Sequence, residues 1–167
     1  MAQRWFDRRF ELGLPVAAFG PILGRLRSTP DRIEGAVKGH SRVALTRRAG
    51  DSWSAQENVG HLLDLESLWE KRLDDFDAGA TALEPADLEN RKTHGANHNA
   101  RQIENLLREF RIVRTRIVGR MERMTETQLA RVALHPRLQQ PMSVVDLAFF
   151  VAEHDDHHLA TIAGLLT

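Results

Sequence analysis

Apolar residues recur at intervals of three and four along four long segments of this 167-residue sequence. The interval matches the 3.6-residue turn of an α-helix, so each segment is predicted to form a helix that buries one face. The clearest apolar positions are Ile103, Leu106, Phe110, Val113, Ile117, Met121 and Met124. Patterns typical of strands are scarce. The sequence therefore predicts an all-α protein, a four-helix bundle formed by one domain over residues 1–167.

The first bundle helix is expected to be interrupted by a proline. A helix is predicted over about residues 15–27, and a second, short helix is predicted to end at Val37. Thr29 is predicted to cap this short helix, with Pro30 at its first position, because proline is favoured where a helix begins.

Capping residues predict where the later helices begin. Ser54 opens a Ser-x-x-Glu capping box, and its helix is expected to end at residues 78–79. Ser143 is predicted to cap the last helix, which runs to about Leu165. Between these two, a helix is predicted over about residues 99–124.

The connections between the helices are expected to hold short additional helices. Residues 80–97 are polar and include Pro85 and Gly95. This stretch is long for a connection between two helices of a compact domain, so we expect it to be functional or ordered by contacts elsewhere. After the third helix, the sequence predicts a short turn over 125–131 and a loop bracketed by Pro136 and Pro141.

Two histidines, His154 and His158, lie in the middle of the apolar stripe of the last helix. Residues at i and i+4 have Cβ atoms roughly 5–6 Å apart on one helix face, so both rings can bind one ion. Histidines satisfied by hydrogen bonds in the core are the alternative, but that arrangement is less common for two on one stripe. The pair predicts a metal site that needs a further ligand.

His61, at the edge of the apolar face of the second helix, is the natural third ligand. Helical bundles build metal sites from side chains on facing helices. Three neutral imidazoles leave the fourth tetrahedral position for water or substrate. The predicted metal ligands are therefore His61, His154 and His158, and open coordination indicates catalysis.

Glu66 and His157 are the candidate catalytic residues beside this site. Glu66 is predicted on the inward face of the second helix, where it could be a general base, a hydrogen-bond acceptor for a ligand, or a partly exposed boundary residue. His157 lies about 100° around the helix from His158. It is therefore expected beside the site rather than in it.

The other histidines are weaker candidates. His94 and His98 also have i, i+4 spacing, but glycine and asparagine around them favour a loop or a helix start. We expect them to line the substrate approach rather than to supply a ligand. His40 and His135 lie in polar connections and are expected to face solvent.

Composition excludes several classes of function. The 23 basic and 23 acidic residues cancel, and no long basic stretch indicates nucleic-acid binding. The absence of cysteine excludes disulfides, thiolate ligands and a cysteine nucleophile. No apolar run is long enough to span a membrane, and no leader pattern follows Met1. A cytoplasmic protein that binds a small molecule is the expectation.

Two motifs resemble those of the DinB-like (YfiT-like) superfamily. The run at 53–66, WSAQENVGHLLDLE, and the adjoining 68–73, LWEKRL, resemble its second-helix signature. Residues 153–162, EHDDHHLATI, resemble its fourth-helix signature. The likeness extends over nearly the whole chain and includes residues 25–26 and 29–30.

The resemblance implies a four-helix bundle with a divalent metal, usually zinc or nickel, held by three histidines that map onto His61, His154 and His158. It also implies frequent homodimers. Relatives include thiol transferases and isomerases that use mycothiol, bacillithiol or glutathione. The family name refers to DNA damage, but nothing in this sequence indicates DNA binding.

These observations favour a metal-dependent thiol S-transferase that acts on a small electrophile. A low-molecular-weight thiol would occupy the open metal position, lose its proton and attack the substrate. A chain without cysteine must import its sulfur. The alternatives are a hydrolase that uses a metal-bound hydroxide, with Glu66 or His157 moving the proton, and a non-catalytic protein that binds a metal or small molecule.

Overall fold

The computed structural model describes residues 4–167 and has the predicted four-helix bundle. Its helices are α1 (Phe19–Val37), α2 (Arg42–Thr46), α3 (Ala55–Asp77), α4 (Arg91–Gly95), α5 (Ile103–Glu122), α6 (Glu126–Leu129) and α7 (Val144–Leu166). Single 3₁₀ turns are formed by Trp5–Asp7, Val16–Ala18 and His98–Ala100. The bundle consists of α1, α3, α5 and α7, and α1 and α3 each pack against both α5 and α7.

The apolar core forms two clusters along the bundle. One contains Trp69 from α3 and Phe150 from α7, together with residues of α1 and α5. The other contains Leu62 and Leu159 from the same two helices. Along α7, the segment that carries His154 and His158 lies between these two clusters, so polar rings occupy the junction of two apolar regions.

The predicted serine caps of α3 and α7 are confirmed. Ser54 forms a capping box with Glu57, and Ser143 forms the equivalent pair with Asp146. Oδ1 of Asp146 also accepts hydrogen bonds from two backbone amides of the N-terminal segment, at residues 13–14, each at 2.9 Å. The cap of α7 therefore also attaches the chain that precedes α1 to the bundle.

The predicted break at Thr29 and Pro30 is wrong, because α1 continues through the proline. Proline at position 30 removes the amide that would bond the carbonyl of Leu26. Nη1 of Arg114 on α5 lies 3.5 Å from that carbonyl oxygen and donates to it instead. The Thr29 hydroxyl donates to Oδ2 of Asp155 on α7 at 2.8 Å. Tertiary contacts thus replace the lost helical bond.

The predicted loop between Pro136 and Pro141 is part of a β-hairpin. Strands β1 (Val132–His135) and β2 (Gln140–Ser143) pair antiparallel, with Leu134 opposite Pro141. The backbone of Leu134 bonds residues 81 and 83 in the long connection, so the missing amide of Pro141 removes no bond from this pair. The hairpin therefore orders the start of the long connection, which further on contains the short helix α4.

The hairpin also corrects the expectation for His135. This residue is 2% exposed, and its ring centroid lies 5.1 Å from that of Phe150. It was expected to face solvent, but the end of β1 turns it into the protein. Within residues 4–167, no helix is long and apolar enough to cross a membrane.

Candidate metal centre

Three buried histidines converge between α3 and α7. His61 comes from α3, and His154 and His158 come from successive turns of α7. One ring nitrogen from each lies within 4.8 Å of the other two. The centroids of the α7 pair are 4.5 Å apart, and the His61 ring lies 4.7 Å from His158 and 5.4 Å from His154. The structure therefore brings together the three residues that the sequence nominated as ligands.

The three rings are neutral at pH 7. Burial lowers the pKa of His61 to about 4. Burial and the neighbouring histidines hold the pKa of His154 and of His158 well below the usual range. A histidine must be deprotonated to bind a metal, so the cluster is in the form that can do so.

Thr93 fixes the orientation of His61. The Thr93 hydroxyl donates to Oδ2 of Asp64 at 2.9 Å, and it lies 3.1 Å from Nδ1 of His61. Because its hydrogen is used on the carboxylate, the Thr93 oxygen accepts from His61. Nδ1 therefore carries the hydrogen, and Nε2 keeps a free lone pair.

Asn58 orients His158 in the same way. The Asn58 amide nitrogen donates to the carbonyl of Ser54 at 2.9 Å, and its oxygen lies 2.8 Å from Nδ1 of His158. His158 is then the donor in this second bond, which again leaves Nε2 unprotonated. Metal-binding histidines generally have such a partner on the other nitrogen.

His154 has a buried nitrogen without a hydrogen-bond partner. Its Nδ1 is shielded from solvent and is unpaired among the described residues. An unpaired buried nitrogen is costly. Together with two oriented neutral imidazoles, it fits a divalent metal ion of the zinc or nickel type, for which imidazole is a suitable ligand.

His98 supports the site through Asp64 rather than through a metal. Its Nε2 lies 2.8 Å from Oδ2 of Asp64, and both residues are buried. Burial would raise the pKa of Asp64, but hydrogen bonds from His98 and Thr93 keep it below its ordinary value. A series of hydrogen bonds therefore links His98 to His61 through the charged carboxylate of Asp64 and the hydroxyl of Thr93.

Two cavities meet at the histidine cluster. The first has a volume of about 520 Å³ and is lined by all three histidines and by all three tryptophans of the sequence. The second, of about 500 Å³, lies beside His94. Residues 53, 157, 158 and 161 line both, so the two cavities adjoin at His158.

His157 lies beside the cluster, as expected. It is half-buried, lines both cavities, and its ring stands nearly perpendicular to that of His158 at 5.3 Å. Burial, followed by the charge of Arg8, lowers its pKa. Of the other histidine pair, His94 lines the second cavity, whereas His98 is enclosed. His40 is exposed.

Glu66 is not placed for the catalytic role expected of it. It is 1% exposed, and both of its oxygens accept hydrogen bonds from Arg114 of α5, at 3.0 and 2.6 Å. Arg114 also pairs with Asp155, the neighbour of His154. Neither cavity is lined by Glu66. Glu66 instead forms a structural ion pair with Arg114 that joins α3 to α5.

The sequence nominated the ligands but not most of their supports. Asp64 and Asn58 lie three residues on either side of His61, so their helical spacing was an available signal. Thr93 lies in the long connection and has no local signal. Trp5 and Trp69 also lie near His154, with ring centroids at 5.0 and 5.9 Å. Only the fold shows that they line one cavity.

Comparisons with known proteins agree with this architecture. YfiT from Bacillus subtilis, described as a probable metal-dependent hydrolase with an unusual four-helix bundle topology, is similar in structure with a TM-score of 0.82. The two are 19% identical, and the match covers 95% of this chain and 91% of YfiT. No curated protein matches the sequence. The family model of the DinB superfamily matches residues 25–162. This chain therefore belongs to the DinB superfamily.

Proposed function

We propose that this protein is a metal-dependent thiol S-transferase in which His61, His154 and His158 hold one zinc or nickel ion. When bound, the metal would lower the pKa of a low-molecular-weight thiol so that the thiolate forms at neutral pH. The protein's part is to keep the three imidazoles neutral and to orient the rings of His61 and His158. The thiol sulfur forms a bond to an electrophilic carbon, and the leaving group departs with the electron pair of the broken bond.

The meeting of two cavities at the histidine cluster is the observation that carries this proposal. A transferase must hold two molecules next to each other, whereas hydrolysis needs one substrate and water. The first cavity offers aromatic walls to the electrophile, and the second adjoins it at His157 and His158. The sequence has no cysteine, so the sulfur must come from a second small molecule.

We assign to His157 the role of taking the proton of the thiol. It is half-buried, it borders both cavities, and its lowered pKa keeps it neutral at pH 7. A neutral imidazole has one nitrogen free to accept a proton. Glu66 is unsuitable, because Arg114 bonds both of its oxygens.

A hydrolase is the second candidate, supported by the description of YfiT as a probable metal-dependent hydrolase. In that reaction His157 would accept a proton from water rather than from a thiol. A non-catalytic binding protein would retain the same histidines without either activity. The three functions share the metal centre and differ in what reaches it.

Cobalt substitution distinguishes these functions. Thiols of several kinds are titrated into the cobalt-loaded protein, and the transferase predicts a sulfur-to-metal charge-transfer band as thiolate enters the coordination shell. His61→Ala is the control and should show no such band. An unchanged spectrum at saturating thiol contradicts the transferase. Ester hydrolysis without thiol would then favour the hydrolase.

A further inference from the structure

Two arginines, Arg72 of α3 and Arg137 of the β-hairpin, line the first cavity without an ion pair to a carboxylate within residues 4–167. Arg72 is 1% exposed. Its Nε donates to the carbonyl of Glu84 at 3.0 Å, and its Nη1 lies 3.2 Å from Nε2 of His135. Nη2 of Arg137 is buried and has no hydrogen-bond partner in the described chain. Arg137 as a whole is half-buried, whereas Arg72 is a buried cation, and buried cations are ordinarily paired.

The surroundings do not neutralise these two arginines. His135 is neutral, because burial and then the charges of Arg72 and Arg137 lower its pKa to about 4. Its Nδ1 also faces the amide of Leu138 at 3.2 Å. A neutral ring accepts only one of two hydrogen bonds offered to its nitrogens. The cavity wall therefore holds an excess of positive charge and donors.

One acidic residue, Asp87, lines this cavity, but its oxygens are already bonded. Oδ1 accepts from the amide of Glu89 at 3.1 Å, and Oδ2 accepts from the amide of Arg91 at 2.8 Å. Burial lowers the pKa of Arg72, and the charges of Asp75 and Glu84 offset this effect only in part. An incoming anion would complete a pairing that the chain leaves open.

An aromatic wall lies close to both Arg72 and the metal centre. Cζ of Arg72 lies 5.4 Å from the ring of Trp69, which lies 5.9 Å from the ring of His154. One indole is therefore near both the guanidinium of Arg72 and the histidine cluster. Phe150 and Trp5 continue this wall, with centroids 5.2 Å apart. The spacing suits a small ligand with an anionic end and an apolar body.

We propose that Arg72 and Arg137 bind the anionic oxygen group, a carboxylate or a phosphate, of a small substrate whose apolar part lies against Trp69 and whose reactive carbon faces the histidines. This inference rests on the proposed function, since it names the substrate class of the same cavity. The planar fork of a guanidinium can bond two oxygens of a carboxylate or of a phosphate at once.

Tryptophan fluorescence tests the inference without any turnover, because every tryptophan of the chain lines this cavity. The full chain is titrated with 3-phenylpropanoate, phenyl phosphate and the neutral 3-phenylpropanamide, after treatment with EDTA and, in parallel, loaded with zinc. In the metal-free protein at least one anion should bind roughly tenfold or more tightly than the amide. The stronger anion identifies the natural group. Equal affinities of all three probes overturn the inference.

Substitutions locate the anion subsite. Arg137→Gln should abolish most of the preference for the anion while binding of the amide is unchanged, and Arg72→Gln should do the same if it folds. Arg108→Gln is the matched control, because Arg108 is exposed, lies outside the cavity and, in the described part of the chain, bonds Asn105 alone. A folded Arg137→Gln protein that keeps the full preference overturns the inference even if Arg72→Gln is unstable.

The metal-free arm separates this inference from the proposed function. If the anion preference and its dependence on Arg137 are present but the metal-loaded protein shows no thiol band, the subsite is supported and the transferase fails. If the band forms but no probe distinguishes anion from amide, the transferase is supported and the subsite fails.

Discussion

The ring of His98 lies directly against the backbone of Gly60 in α3. A Cβ at position 60 would overlap three atoms of that ring. The glycine therefore allows His98 to approach α3 closely enough to bond Asp64, one turn further along the helix. The residue before His61 in the sequence thus determines how a partner of the metal centre is packed.

Gly60→Ala should weaken metal binding without touching a ligand. The new methyl group must displace His98, and the loss of its bond to Asp64 disturbs the support of His61. We expect metal affinity to fall about 10–100-fold, and overpacking to cost about 1–3 kcal/mol of stability. Zinc titration and urea unfolding measure the two effects.

Gly35→Ala is the matched control for this substitution. Gly35 lies in α1, and a methyl group added to its Cα would meet no other atom within 4 Å. Alanine should raise helix stability there by about 0.5–1 kcal/mol and leave zinc affinity unchanged. Equal zinc affinity in the two glycine variants would contradict the support assigned to His98.

Thr93→Val should reduce zinc affinity about 10–100-fold, because it removes the acceptor for Nδ1 of His61 while keeping the shape of the side chain. Calorimetric titration measures the loss. Thr46→Val is the control, since among residues 4–167 the Thr46 hydroxyl bonds the carbonyl of Arg42 within α2 and no histidine. Wild-type affinity in the Thr93 variant would show that this hydroxyl does not orient His61.

Local spacing explains what the sequence could predict. His154 and His158 are related by one turn of one helix, so the period of α7 alone places them together. The serine caps of α3 and α7 are equally local. His61 was reached by one further step, since bundles place inward side chains of facing helices opposite each other. The same periodicity predicted the four-helix bundle, which the structure confirms.

Non-local contacts explain what the sequence could not predict. Glu66 looks like an inward carboxylate on its own helix, and only the position of Arg114 on α5 shows that both oxygens are bonded. His135 looks like a loop residue until a four-residue strand turns it inward. Pro30 looks like a helix start in the sequence. The donor that replaces its missing amide, Arg114, is 84 positions away and gives no local signal.

Arg114→Met should destabilise the protein by about 3–5 kcal/mol, because it leaves the buried carboxylates of Glu66 and Asp155 without their cation. Arg116→Met on the same helix is the control. Arg116 is 62% exposed and pairs with Glu70 at the surface, so its loss should destabilise the protein far less than the loss of Arg114. Chemical unfolding compares them. Similar losses in the two variants would contradict the structural role of the buried cluster.

Acid should destabilise the metal-free protein between pH 6.5 and about 4. Burial lowers the pKa of His61 and of His135 to about 4. In this interval the two histidines are protonated in the unfolded chain but neutral in the folded chain. The free energy of unfolding therefore falls as the pH falls. Each of these two histidines should lower the free energy of unfolding by about 2 kcal/mol at pH 5 relative to pH 7.

Urea unfolding at pH 7 and pH 5 measures this dependence. The His135→Gln variant should show a smaller difference between the two pH values, by about one histidine's share, whatever its absolute stability. A pH difference in that variant as large as in the wild type would mean that His135 does not remain neutral in the fold.

The most direct test of the metal centre is zinc titration of four single alanine variants. The wild type should bind about one zinc ion per chain, and His61→Ala, His154→Ala and His158→Ala should each lose most of the affinity. His157→Ala is the matched control, because its ring lies about 100° around α7 from His158, and it should retain zinc. Strong binding by the His158 variant with loss in the His157 variant would contradict the three-histidine centre.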